Sequence, residues 1–180
     1  MAPRAAFLVA ICFMLGCSGD QTGGIERLTN AHSQLMLEFN NDDWIRDNHI
    51  LIPDVHDTEN LSAEGQSVAK VLQQAVYGDR LQGAYEVSFS RTIPPLDNVS
   101  VRVFEFKTRE AVESFTEDRL GDDLENYTVD DGKEVVTLTN DRTGKVIKVF
   151  GVYYVSVFRL GNNTLNPELA TRFADALKTK

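Results

Sequence analysis

The spacing of apolar residues divides the chain into helical and strand-forming segments. Residues 25–39 carry apolar side chains every three or four positions, which predicts a helix with one buried face. The same period predicts further helices at 60–77, 108–120 and 166–180. We therefore expect about four helices.

Each predicted helix has a recognisable start or an apolar face. Asn60 or Ser62 is suited to cap the second helix, Thr108 the third and Asn166 the fourth. The second helix is expected to bury Val68, Val71, Leu72, Ala75 and Val76. The last helix is expected to bury Leu169, Ala170, Phe173, Ala174 and Leu177. His32 lies on the apolar stripe of the first helix, so we expect it to be packed.

Strands are indicated where apolar and polar residues alternate with a period of two. Residues 85–90 and 99–106 show this pattern and are rich in β-branched and aromatic side chains. Gly151 marks either a hairpin turn or a bulge inside the most strand-like part of the chain. Further strands are predicted at 49–53, 126–129, 134–139 and 145–160.

This order of elements predicts an α+β fold. Strands cluster in the middle of the chain, with helices before, between and after them, which favours an antiparallel sheet. We expect a sheet of about five to six strands packed by about four helices. Residues 25–180 have the length of a single domain.

The amino terminus has the layout of a secretory signal. Arg4 precedes a continuous apolar run over residues 5–15, and Gly16 lies directly before Cys17. The run is shorter than the roughly 20 residues that span a bilayer as a helix, so residues 1–16 are expected to be removed. The ending "MLGC" resembles the lipobox of bacterial lipoproteins, which implies a lipid on the sulfur of Cys17.

A flexible tether follows the cysteine. Residues 17–24 contain the candidate lipid anchor and a glycine-rich segment, which places the domain close to a membrane of the bacterial cell envelope. Ser18 slightly favours the outer membrane. The alternative is a secreted eukaryotic glycoprotein, because N-x-S/T triplets begin at Asn60, Asn98, Asn126 and Asn162.

Charge and cysteine content exclude several classes of function. The net charge is −9, and no basic stripe is present, so we expect no nucleic acid partner. The chain has two cysteines, Cys12 and Cys17. Once Cys12 leaves with the signal and Cys17 is lipidated, no thiol remains for a disulfide, a nucleophile or a zinc site. We expect no cofactor.

Acidic and histidine side chains are concentrated at residues 42–59. His49, Asp54, His56 and Asp57 are the candidate metal ligands, since hard cations take carboxylates and transition metals add imidazole. Their spacing matches neither an EF-hand loop nor an HExxH helix. A solvated acidic loop explains them as well.

Two other segments contain patterns that could belong to a functional site. "GQSVA" at 65–69 superficially resembles a nucleophile elbow, but it lies in a predicted helix without a preceding strand, so we name no catalytic residue. Tyr153, Tyr154 and Phe158 lie in a predicted strand and alternate between its two faces. If one face is partly exposed, they form a candidate surface for a ligand or protein partner.

Together these patterns favour a membrane-anchored secreted lipoprotein that acts as a non-catalytic ligand- or protein-binding module of the cell envelope. The membrane is reached through the lipid on Cys17. The alternative is a metal-assisted hydrolase that uses the Asp and His residues of 42–59.

Overall fold

A single antiparallel sheet of seven strands is the main element of the fold. The computed structural model describes residues 24–28, 43–94, 97–159 and 165–178. The strands are β1 (Trp44–Ile52), β2 (Leu81–Arg91), β3 (Asn98–Phe106), β4 (Thr128–Asp131), β5 (Val136–Asn140), β6 (Lys145–Phe150) and β7 (Tyr153–Arg159). The α-helices bounded within these residues are α1 (Ala63–Gln74), α2 (Arg109–Leu120) and α3 (Leu165–Lys178), and short 3-10 helices lie at Gly78–Arg80 and Gly121–Asn126.

The strand order places β3 and β7 at the centre of the sheet. The order is β1-β2-β3-β7-β6-β5-β4, and every neighbouring pair is antiparallel. Helix α1 connects β1 to β2, and α2 carries the chain from β3 to the far edge strand β4. None of the helices within the described ranges is long and apolar enough to cross a membrane.

The predicted α+β class with an antiparallel sheet is confirmed, with seven strands in place of five to six. The largest difference lies at β1, which starts at Trp44 although only residues 49–53 were predicted. A register shift between Arg46 and Asn48 breaks the alternation, residues 46–48 are polar and exposed, and the apolar Ile45 is also exposed. These features make an edge strand difficult to recognise from period-two alternation.

The two faces of the sheet carry separate apolar cores. The first, which we call the α3 face, packs Val101, Val155 and Val157 against Phe173 and Leu177 of α3. The opposite face packs Ile147 and Tyr154 beneath Phe115 of α2 and Ala69 of α1, and we call it the α1–α2 face. Successive side chains of a strand point to opposite faces, which explains the division.

The buried residues predicted from the sequence are correct for α3 and partly wrong for α1. All five residues predicted to be buried in α3 are buried. Helix α1 ends at Gln74 rather than Tyr77, and the prediction that Val71 and Val76 are buried is wrong, since they are 68% and 87% exposed. A sheet edge meets only part of a helix surface, so the outer valines have nothing to pack against.

Of the predicted helix caps, Ser62 and Thr108 are observed and Asn166 is not. Ser62 caps α1 by accepting from the backbone N–H of Gly65 at 3.1 Å, and Thr108 caps α2 by accepting from Ala111 at 3.2 Å. Asn166 is not a cap, because α3 starts at Leu165. Its buried side chain donates instead to the carbonyl oxygen of Gly144.

Several predictions fall wholly or partly outside the described residues. Of the predicted helix 25–39, the structure shows a helical turn at 26–28, with Ile25 and Leu28 buried on the α3 face. His32 and the rest of that helix lie outside the described residues. The same holds for the signal segment 1–16 and for Cys17.

Gly151 forms the turn of the β6–β7 hairpin, which decides between the two predicted alternatives. Its φ is 51°, and Phe150 and Tyr153 pair across the turn. A Cβ at this position would meet no atom within 4 Å. The requirement for glycine is therefore conformational rather than steric.

We expect Gly151→Ala to lower the free energy of unfolding by about 1–2 kcal/mol, since an L-residue with a side chain is disfavoured in the left-handed region. Gly151→Asn should lower it less, because asparagine tolerates that region. Urea unfolding followed by circular dichroism measures both changes. An alanine variant as stable as the wild type would contradict this turn geometry.

Candidate functional site

The candidate metal ligands do not converge in the structure. His49 lies on β1, with its ring 5.5 Å from that of Tyr85. Asp54 accepts from the backbone N–H of His56 at 2.8 Å, and the Lys107 ammonium lies 3.4 Å from Nε2 of His56. Asp57 is exposed. Among the described residues, no group of three or more His, Cys, Asp or Glu side chains is arranged to hold a metal ion.

Two further acids of this segment join β1 to its neighbour. The Asp43 carboxylate lies 3.4 Å from Nη2 of Arg91, and Asp47 accepts a hydrogen bond from Ser90. Arg91 and Ser90 belong to β2, so these contacts connect the two strands at one end of the sheet. This part of the acidic cluster therefore has a structural role.

Ser67 has the environment of an ordinary helical serine. It lies inside α1, and its hydroxyl donates to the Ala63 carbonyl oxygen at 2.9 Å. The structure therefore agrees with the helical interpretation of "GQSVA" and not with a strained strand-to-helix turn.

The three candidate aromatic residues are divided between the two faces. Tyr153 lies on the α3 face and donates to Oε1 of Glu105 at 3.0 Å. Tyr154 is 3% exposed on the α1–α2 face, where its ring meets that of Phe115 edge-on at 5.0 Å. Phe158 is half-buried on the same face. Tyr154 and Phe158 therefore belong together, and Tyr153 does not belong with them.

Tyr154 and Phe158 line a cavity of about 260 Å³ between α1, α2 and the sheet, which we call the α1–α2 cleft. One wall is apolar and mainly aromatic, formed by Val68, Leu72, Tyr77, Phe104, Phe115 and Tyr154. The other end is polar, formed by Glu86, Arg102, Arg119, Lys145 and Ser156. The cleft is thus amphipathic along its length.

Strand register explains why one end of the cleft is apolar and the other polar. Phe104 pairs with Ala84 on β2 and with Tyr154 on β7, which gives an apolar row across three strands. Two residues along, Arg102 pairs with Glu86 and with Ser156, which gives a polar row on the same face. Positions two apart on a strand share a face, so the rows are adjacent.

Arg102 is held in place at the polar end by two neighbours. Its Nη2 donates to Oε1 of Glu86 at 3.1 Å, and its Nε lies 3.0 Å from Oε2. Its guanidinium also lies over the ring of Phe158, 5.3 Å from the ring centre. The hydrogen bond to Glu86 and the position over the Phe158 ring together restrict the orientation of the guanidinium.

Lys145 is an unfavourably placed cation at the same end. Burial lowers its pKa, and the neighbouring charges of Arg119 and Arg102 lower it further, while Asp123 acts in the opposite direction. No carboxylate of the described residues lies within 4.0 Å of the charged groups of Lys145 or Arg119. The polar end therefore carries an excess of positive charge.

The hydroxyl of Tyr154 stays protonated in this setting. Burial raises the pKa of Tyr154 to about 12. The residue is therefore neutral at physiological pH, and it adds aromatic surface to the cleft but no negative charge that would offset the cations.

A second, more open cavity of about 560 Å³ adjoins the polar end. It shares Arg102, Lys145 and Phe158 with the α1–α2 cleft and is otherwise lined mainly by polar residues such as Asn126, Asn140 and Arg142. The charged end of the cleft therefore faces a polar opening.

The aromatic part of this site was predictable from the sequence, but its charged part was not. One signal was present in "SVRVFEF", where Arg102 interrupts a run of strand-forming apolar residues at 100–106. Arg119 and Lys145 offered no such signal, because each lies at the end of a predicted element, where a basic residue is common.

Comparison with known proteins identifies a similar fold and no family. No family model matches the chain, and no curated protein matches it. Among solved structures, the chain is similar to the extracellular domain of PknH from Mycobacterium tuberculosis, with a TM-score of 0.56 and 14% sequence identity. The match covers 90% of this chain and 100% of that one, and at this identity it shows the shared fold alone.

We expect Lys145→Met to raise the stability of the protein at neutral pH, since it removes a partly buried cation beside two others. A lysine whose pKa is lowered on folding destabilises the folded state fully below its folded pKa. That effect disappears as the pH rises towards its ordinary pKa of 10.5.

Urea midpoints measured between pH 7 and pH 10 test this expectation, with exposed Lys133→Met as the matched control. The gain from Lys145→Met should be largest at neutral pH and should shrink as the pH rises. A loss of stability at pH 7 would mean that Lys145 has a favourable partner in the folded state.

Proposed function

We propose that the chain is a non-catalytic, lipid-anchored module of the bacterial cell envelope that binds a small ligand in the α1–α2 cleft. The observation that carries the proposal is the cleft itself, an open cavity with an aromatic wall and a few convergent polar groups. Small-molecule sites in proteins have this composition.

The size of the cleft supports a small ligand. Its volume of about 260 Å³ exceeds the roughly 150 Å³ of an engineered apolar cavity that admits benzene. It lies slightly below the roughly 300 Å³ at which sites for drug-sized molecules begin. The proposed ligand is therefore larger than one aromatic ring and smaller than a typical drug.

The envelope location is supported by two independent observations. The lipobox-like "MLGC" and the glycine-rich segment behind it are arranged as in a tethered lipoprotein. The similar fold belongs to an extracellular domain from a bacterium. A metal-assisted hydrolase finds no comparable support, since the described part of 42–59 provides no three-ligand group.

Blocking the cleft tests ligand binding. Val68 lines the cleft on α1, whereas Val71 lies on the outer surface of the same helix. We expect Val68→Trp to weaken binding of the neutral fluorescent probe N-phenyl-1-naphthylamine at least tenfold, and Val71→Trp to leave it unchanged. Equal binding by both variants would exclude the cleft as the site.

The lipid anchor is tested by replacing each cysteine in turn. Cys17→Ser should release the protein from membranes in a detergent-free wash, while Cys12→Ser should leave it attached, because residue 12 is removed with the signal. Mass spectrometry should find the lipid on Cys17 of the wild type. A Cys17→Ser protein that stays on membranes contradicts the anchor, and glycans at Asn60, Asn98 or Asn126 would support the glycoprotein alternative.

A further inference from the structure

The charge at the polar end of the cleft is opposite to that of the protein as a whole. The chain has a net charge of −9, yet Arg102, Arg119 and Lys145 meet at one end of the cleft. Glu86 pairs with Arg102, and Asp123 opposes the positive field at Lys145. Arg142 lines the adjoining cavity together with Asp123, so the cations at this end outnumber the carboxylates.

Of the three cations, Arg102 is held by neighbouring side chains, whereas Lys145 and Arg119 are not held in this way within the described part of the chain. Glu86 and Phe158 fix the orientation of Arg102, which leaves Nη1 of the guanidinium without a contact to Glu86. Lys145 and Arg119 have no carboxylate at ion-pair distance among the described residues. The free donors of all three side chains are thus available to one shared acceptor.

The apolar wall begins directly beside these cations. The polar row that contains Arg102 and the apolar row that contains Phe104 are one strand repeat apart on the same face. A ligand that fills the cleft therefore contacts both rows at once. Its charged group and its apolar body must be parts of one small molecule.

We infer that the α1–α2 cleft binds a small amphiphile with a single anionic head group, such as a carboxylate. Arg119, Lys145 and Arg102 contact the head group, and the apolar body packs against Phe104, Phe115 and Tyr154. An anionic head group offsets the excess of positive charge at this end of the cleft. This inference rests on the proposed function, since it specifies the ligand of the same cleft.

The test compares three eight-carbon molecules whose head groups are anionic, neutral and cationic. Octanoate, octanamide and octylammonium are titrated calorimetrically into full-length Cys17→Ser protein, which needs no detergent. We expect octanoate to bind about tenfold more tightly than octanamide, as a charge-assisted hydrogen bond contributes, and octylammonium to bind most weakly. Added salt should weaken octanoate binding alone.

Two substitutions assign the head-group contacts. Lys145→Gln and Arg119→Gln should each weaken octanoate binding about fivefold to tenfold and leave octanamide binding unchanged. Lys133→Gln removes the same charge from an exposed turn and should change neither. Lengthening the alkyl chain of the ligand from hexanoate to octanoate should tighten binding about fourfold per methylene, if each methylene is buried.

The outcomes separate this inference from the proposed function. If octanamide or octylammonium binds as tightly as octanoate and Val68→Trp abolishes the binding, the anionic head group is excluded while the cleft remains a ligand site. If none of the three binds while N-phenyl-1-naphthylamine still binds the wild type and not Val68→Trp, only this inference fails. If Val68→Trp binds octanoate like the wild type, both proposals fail.

Discussion

The sheet is wider than the two helices α1 and α2 that pack on one of its faces. The candidate site exists because of this difference in width. Seven strands at a spacing of about 4.8 Å give a sheet roughly 29 Å wide. A helix with its side chains is about 10 Å across, so α1 and α2 together cover about two thirds of that width. Helix α1 lies near β1, and α2 lies over β3, β7 and β6. The cleft is the surface that remains between them.

The two faces of the sheet therefore have different roles. On the α3 face, helix α3 and the segment at 24–28 bury a continuous apolar core that includes Phe173 and Leu169. On the α1–α2 face the described helices are short and separate, and the strands between them carry Glu86, Arg102 and Ser156. Both faces carry an apolar core, but the α1–α2 face also carries charged and polar side chains beside its core.

The sequence was informative where the structure depends on local contacts. The buried face of α3 and the caps Ser62 and Thr108 were predictable because helix periodicity and capping act within a few residues. Strands β2 and β3 were predictable because buried and partly exposed positions largely alternate along them. Edge strand β1 was mostly missed, since polar residues and a register shift conceal its alternation.

The charged half of the site was not predictable, for a different reason. Glu86, Arg102 and Lys145 belong to three strands, and only the pairing of those strands brings them together. By contrast, alternation along β7 alone places Tyr153 on the opposite face from Tyr154 and Phe158. The candidate metal ligands failed to converge because β1 holds His49 in the sheet, while His56 follows in a loop beside Lys107.

The most direct test of the account is a two-dimensional amide NMR titration of the protein with octanoate. The account predicts chemical-shift changes confined to the cleft, at residues such as Arg102, Lys145 and Ser156 and along the inner side of α1. The amides of α3 should not move. Shifts centred on α3, or no shifts at all, would contradict the claim that the α1–α2 face of the sheet is the functional one.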